Sequence, residues 1–208
     1  MSTSILEIMN TSPVIPVMVI NQLEQAVPLA NALVEGGLKV LEITLRTPVA
    51  LDAIKQIKDQ VPGAIVGTGT VINLETLKQA VDVGSAFLVS PGVTDSLIDA
   101  ALKARVPILP GVATPSEVLR LLEKGITEMK FFPAEAAGGV AMLKSIGGPI
   151  PQATFCPTGG VNPKNANDYL ALKNVACVGG SWMAPSDLVD AGNWSEITRL
   201  ANEAANLK

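Results

Sequence analysis

Short apolar runs bounded by Gly, Pro, Asn or Thr recur along the chain, and each is followed by a stretch in which apolar residues repeat at helical spacing. Eight such runs stand out: VIPVMVI from Val14, VLEITLR from Val40, AIVGTGT from Ala64, AFLVSPG from Ala86, VPILPG from Val106, EMKFFPA from Glu128, ATFCPTGG from Ala153 and VACVGGS from Val175. They start about 20 to 26 residues apart, the length of one buried strand plus one crossover helix. The helix signals fall between them. Thr114, Pro115 and Glu117 read as N-cap, first-turn proline and capping box, with Gly125 as the stop, Asn73 caps LETLKQAV, and Asn162 with Pro163 opens another helix. Eight alternating units predict an α/β chain folded as a (β/α)8 TIM barrel, with residues 1–208 as a single domain. An open doubly wound sheet is the rival, but no GxGxxG follows the first strand. Residues 1–12 read as a short N-terminal helix outside the barrel, with Ile5, Leu6 and Met9 on one face.

Side chains alternate faces along a strand, so parity separates those that meet the helices from those that point inward. In the second run Leu41, Ile43 and Leu45 form the helix-facing set, which turns Val40, Glu42, Thr44 and Arg46 inward. In the sixth, Met129 and Phe131 face the helices, and Glu128, Lys130 and Phe132 face the interior. Thr70 shares the parity of Val66 and Thr68 and is placed inward near Arg46. Desolvating an ion costs several kcal/mol before pairing. Glu42, Arg46 and Lys130 therefore form either a structural ion-pair network or a site, and barrel sites lie at the C-terminal strand ends. Lys130 also has the option of threading its stem to the mouth and leaving its ammonium in water. An amine beside a carboxylate is the pairing that carbonyl addition and proton shuttling require.

Glycine pairs close the last two runs, TGGV at 158–161 and GGS at 179–181. At a barrel mouth such pairs let backbone N–H groups approach a phosphate, and they also serve tight turns that need positive φ. Glu135, just past the sixth strand, reads as a solvated loop residue.

Composition narrows the chemistry. The 208 residues contain no histidine, which removes the commonest general base and metal ligand and leaves proton transfer to Glu, Asp, Lys, Tyr, Cys or water. The two cysteines, Cys156 and Cys177, sit in apolar strand-like segments and read as buried free thiols, not as a disulfide framework or a zinc site. Nineteen acidic against fifteen basic residues, without a basic run, argue against nucleic-acid binding. Neither a signal-peptide pattern nor an apolar run of membrane-spanning length is present, so a cytoplasmic protein with no membrane partner is expected.

The blocks LEITLRT at 41–47, GTGTV at 67–71, SPG at 90–92, KFFPAE at 130–135, FCPTGG at 155–160 and GGSW at 179–182 follow one another in order. In these the chain resembles the bacterial 2-keto-3-deoxy-6-phosphogluconate / 4-hydroxy-2-oxoglutarate aldolases, class I enzymes that work through a Schiff base. The resemblance implies Lys130 as the Schiff-base lysine and Glu42 as proton carrier. It also implies Arg46 and Thr70 on the keto-acid carboxylate, Pro91 and Phe132 around the pyruvyl group, and Gly159, Gly160, Gly180 and Ser181 on the phosphate. It further implies cleavage of a phosphorylated 2-keto acid without metal or organic cofactor, and a homotrimer. The alternatives are an aldolase for 2-keto-3-deoxy-6-phosphogalactonate, which differs in C4 configuration, a metal-independent sugar-phosphate isomerase or epimerase, and a catalytically silent ligand-binding barrel; the last two need no amine inside the sixth strand.

Overall fold

The computed structural model describes residues 4–207. All eight predicted runs contain strands: β1 (Val14–Met18), β2 (Val40–Thr44), β3 (Ile65–Gly69), β4 (Phe87–Val89), β5 (Ile108–Leu109) with β6 (Gly111–Val112), β7 (Glu128–Phe131), β8 (Thr154–Pro157) and β9 (Val178–Gly180). The fifth run is split at Pro110, which has no N–H to give to a ladder. Its carbonyl still accepts from the Lys130 N–H at 2.8 Å.

Every pairing is parallel, in the orders β5-β4-β3-β2-β1-β9 and β6-β7-β8. Residues 108–112 run from the first group into the second, and isolated parallel bridges Phe155↔Val175 and Thr158↔Gly179 connect β8 to the last strand segment. The result is a strongly curled parallel sheet with helices on its outside.

The outer layer comprises α2 (Ala26–Glu35), α3 (Ala50–Gln60), α4 (Leu74–Asp82), α5 (Asp95–Ala104), α6 (Pro115–Glu123), α7 (Gly139–Gly147), α8 (Ala166–Leu170), α9 (Ser186–Asp190) and α10 (Trp194–Ala205). The predicted caps form: Asn73 accepts from the Thr76 N–H, and Thr114 with Glu117 closes a reciprocal capping box behind Pro115. Asn162 and Pro163, expected to open a helix directly, begin a turn instead. Asn162 accepts from the Lys164 N–H through its side chain, and α8 starts only at Ala166.

Two apolar layers follow from parity. Leu41, Ile43, Leu88, Met129 and Phe131 face out and pack with helix residues such as Leu33, Ile54, Ile57, Ile98 and Leu121. Ile15, Val40, Phe87, Val89, Leu109, Cys156 and Cys177 face in, and both cysteines are free and buried. The inner layer also receives Ile5, Ile8 and Met9 from the N-terminal helix α1 (Ile5–Met9), capped by Ser4. This corrects the expected Ile5–Leu6–Met9 face of an outlying helix. Leu6 is the exposed residue, and α1 packs onto the inner cluster near the strand starts, supporting the chamber from below.

The third strand reverses the expected parity. Glu42 pairs with Gly67 and Thr44 with Gly69, so the inward positions of β3 are glycines, and Val66 joins the outer core. Thr68 is buried against Ser85, its hydroxyl 2.5 Å from that of Ser85. A β-carbon at Gly67 would lie 2.3 Å from the Phe87 ring, so the missing side chain is filled by that aromatic.

Candidate active site

Lys130 occupies the third position of β7, between the outward Met129 and Phe131, and is turned into the chamber with only 5% of its surface exposed. Its ammonium does not reach water along the stem. Nζ lies 3.2 Å from Oε1 and 3.5 Å from Oε2 of Glu42, itself 3% exposed at the centre of β2. The Phe132 ring lies on another side of the amine, its centroid 5.5 Å from Nζ. Two opposite charges are thus held at hydrogen-bonding distance in an otherwise apolar interior. Removing either partner would leave an uncompensated buried ion, at a cost of about 3–5 kcal/mol.

Arg46 does not point into this interior. β2 ends at Thr44, the Arg46 N–H closes a turn onto the Thr44 carbonyl at 2.8 Å, and the side chain is exposed at the mouth, where the guanidinium stays hydrated. It meets Thr70 there, Nε donating to Oγ1 at 3.3 Å. Thr70 arrives by a route that parity does not describe. It lies just past β3 in the left-handed region, φ 61°, an outlier conformation for a β-branched residue that re-aims its hydroxyl.

On the side of Phe132 lies a cavity of about 280 Å³ lined by Val17, Val19, Arg46, Phe132, Gly159, Gly160, Gly180 and Ser181, among others; Lys130, Glu42 and Thr70 are not part of its lining. Phe132 and Arg46 therefore share one space with all four residues expected at a phosphate. Both Gly159 and Gly160 have positive φ, 100° and 82°, so the turn reading of the first pair holds as well; a turn of this kind is also what presents backbone N–H groups. Pro91 is placed elsewhere. It lines a separate surface cavity with Ile72, Val93 and Leu97, and its backbone carbonyl lies over Gly111, the strand partner of Lys130.

Glu135 is exposed as expected, yet it is not merely solvated. Its N–H donates to the Gly159 carbonyl at 3.0 Å, and its Oε1 accepts from the hydroxyl of Tyr169, a fully buried residue of α8. Nothing in the local sequence around Tyr169 separates it from an ordinary core aromatic. Among the described residues no group of three His, Cys, Asp or Glu side chains is placed to hold a metal ion, and no helix is long and apolar enough to cross a membrane.

A buried amine touching a carboxylate, with an arginine–hydroxyl pair at the mouth and a glycine-rich turn facing them, is suited to covalent chemistry on a keto acid. Comparison with known proteins agrees. The family model for KDPG and KHG aldolase, the enzymes of 2-keto-3-deoxy-6-phosphogluconate and 4-hydroxy-2-oxoglutarate, matches residues 5–200. The chain is 52% identical over 202 residues to the KHG/KDPG aldolase of Escherichia coli (strain K12), covering 97% of this chain and 95% of that one. It is 51% identical over 198 residues to the 2-dehydro-3-deoxy-phosphogluconate aldolase of Pseudoalteromonas atlantica, covering 95% and 92%. The crystal structure of KDPG aldolase from Legionella pneumophila, with pyruvate captured at low pH as a covalent carbinolamine intermediate, matches with a TM-score of 0.96 and 48% identity over 98% of this chain and 99% of that one. That of Zymomonas mobilis ZM4 with 3-phosphoglycerate matches with a TM-score of 0.92 and 48% identity, over 97% and 94%. The chain belongs to the KDPG and KHG aldolase family.

Proposed function

We propose that this chain is a class I aldolase that cleaves 2-keto-3-deoxy-6-phosphogluconate to pyruvate and glyceraldehyde 3-phosphate, and 4-hydroxy-2-oxoglutarate to pyruvate and glyoxylate. The observation that carries it is the buried Lys130–Glu42 contact of 3.2 Å. The ammonium proton passes across that contact to the carboxylate, and the neutral Nζ adds to the C2 ketone. Glu42 returns that proton to the carbinolamine hydroxyl, water leaves, and the resulting iminium draws the electron pair of the C3–C4 bond as it breaks. Glu42, directly or through water, takes the C4 hydroxyl proton, and the aldehyde leaves. The enamine of pyruvate then recovers a proton at its terminal carbon from Glu42, and hydrolysis frees pyruvate and the amine.

The Arg46–Thr70 pair is assigned to the substrate carboxylate, for which a guanidinium and a hydroxyl supply adjacent donors. Phe132 is assigned to the pyruvyl group, whereas Pro91 contributes only through its backbone carbonyl over Gly111, the strand neighbour of Lys130. Gly159, Gly160, Gly180 and Ser181 are assigned to the phosphate at the far end of the same cavity. No metal or organic cofactor is required by these steps.

The same assignment takes the curled sheet as a closed (β/α)8 barrel forming one domain, supported by the 108–112 continuity and the two bridges at β8. A cytoplasmic homotrimer is the expected working form. Ile72 and Leu74, 57% and 54% exposed, are apolar side chains that such an assembly would have reason to cover.

Borohydride reduction in the presence of pyruvate, followed by peptide mapping, tests the chemistry. Inactivation with a pyruvyl adduct on Lys130 is expected. An adduct on another lysine, or full activity after treatment, would exclude the mechanism and favour an isomerase or a silent barrel.

A further inference from the structure

The Gly159–Gly160 turn is gripped from one side by a residue outside the assigned machinery. The Glu135 N–H holds the Gly159 carbonyl at 3.0 Å, and the neighbouring Ala134 N–H holds that of Thr158 at 2.8 Å. The stem of Glu135 lies flat on Gly160, where a β-carbon would come within 2.6 Å of Cγ and 2.8 Å of Cβ. Its carboxylate ends on the hydroxyl of the buried Tyr169. Space for the pair is left by Gly139 at the start of α7, where a β-carbon would lie 3.2 Å from the Tyr169 hydroxyl and 3.4 Å from Glu135 Oε1. Burial, and then the Glu135 carboxylate, push the Tyr169 phenol well above its ordinary value, so the hydroxyl remains a donor throughout the neutral and moderately alkaline range.

An exposed carboxylate next to a turn that receives phosphate would repel it and sample many rotamers. Tied to Tyr169, it becomes a brace with one Oε occupied. We propose that Tyr169 and Glu135 are a positioning pair that fixes the shape of the 159–160 turn, and so sets the preference for phosphorylated over non-phosphorylated 2-keto acids. The inference rests on assigning the phosphate to this turn. It concerns neither the Schiff base nor the proton carrier. Pre-organising the donors reduces the ordering that the phosphate end would otherwise impose on binding.

The test is steady-state kinetics of Tyr169→Phe, Glu135→Ala and Glu135→Gln on 2-keto-3-deoxy-6-phosphogluconate and on 4-hydroxy-2-oxoglutarate, with inorganic phosphate as a competitive inhibitor of each. Tyr169→Phe and Glu135→Ala are expected to raise KM for the phosphorylated substrate roughly threefold to tenfold, the equivalent of one net hydrogen bond, with kcat retained and KM for the other substrate within about twofold. Glu135→Gln keeps a carbonyl acceptor for the Tyr169 hydroxyl and is expected to restore near-native KM. The inhibition constant for phosphate should rise in step with KM. Equal changes on both substrates would mark the pair as general scaffolding, and unchanged KM in Tyr169→Phe would mark it as idle; either result overturns the inference. If inorganic phosphate fails to compete in the unmodified enzyme, the phosphate assignment itself falls. If it competes equally with and without the Tyr169 hydroxyl, only the positioning role falls.

Discussion

The carboxylate of Glu42 lies flat against Gly69, so closely that a β-carbon on Gly69 would stand 2.2 Å from Oε1 and 2.7 Å from Cγ. The contact explains why the carboxylate can sit low enough in the chamber to reach Lys130 on the far wall. Gly69 has an ordinary extended backbone, so alanine is conformationally acceptable there, and the side chain that must yield is that of Glu42. Gly69→Ala is expected to lower kcat by about 10²-fold or more, the usual scale of general acid–base loss. Borohydride trapping of pyruvate on Lys130 should still reach the same residue but more slowly, because Glu42 also takes the ammonium proton. In a Glu42→Ala background the same change should cost nothing further; a second, additive loss would show that Gly69 acts through some other group.

Lys130 and Glu42 also depend on one another for stability. Lys130→Met fills a similar volume but leaves a carboxylate 3% exposed with its one ion-pair partner gone. Urea denaturation should show a loss of about 3 kcal/mol. Lys130→Met with Glu42→Gln, which removes both charges, should recover much of it. Both variants will be inactive, so stability and chemistry are separable at this pair. Equal destabilisation of the single and double variants would mean that packing of the lysine stem, not charge, is what the chamber needs.

Strand alternation identified Lys130 and Glu42 because their neighbours Met129, Phe131, Leu41 and Ile43 give an unambiguous apolar face, against which a charge stands out. The same method failed on β3. There the inward positions are Gly67 and Gly69, which carry no side chain, and the eye follows Val66 and Thr68 to the wrong side. The exposure of Arg46 was not legible, since β2 stops two residues before it and the strand alternation that turned it inward no longer applies. Tyr169 gave no signal at all, because its partner lies 34 residues earlier and the contact is made by the packing of α8 against the loop after β7. Close approaches between segments distant in sequence have no local pattern to read.

Thr70 holds an energetically costly backbone conformation just past β3. At φ 61° a β-branched side chain crowds its own backbone, a strain on the order of 1–3 kcal/mol. Asparagine accepts that region more readily. Thr70→Asn is expected to raise the urea midpoint by the equivalent of about 1 kcal/mol with the slope unchanged. The Arg46 Nε contact at 3.3 Å should be disturbed, raising KM for both substrates alike, because the carboxylate end is common to them. A gain in stability without any change in KM would remove Thr70 from the carboxylate site.

Glu117 provides a pH-dependent element remote from the chemistry. Partial burial pushes its carboxyl up, but the N–H groups of Ala113 and Thr114, the Thr114 hydroxyl and the nearby Arg120 together outweigh burial and hold it below the usual carboxylate value. A carboxyl lowered by folding contributes stability above its unfolded value, and that contribution is lost as pH falls through the lower, folded value. Glu117→Ala should therefore destabilise the protein by about 1 kcal/mol at neutral pH, the worth of a capping box, and by progressively less on the acid side of the ordinary glutamate range. Measured across pH, the two unfolding curves should converge toward the acid end while kcat and KM at neutral pH stay the same. A constant gap down to strong acid would assign the loss to helix propensity or packing, not to the charged carboxylate at the start of α6.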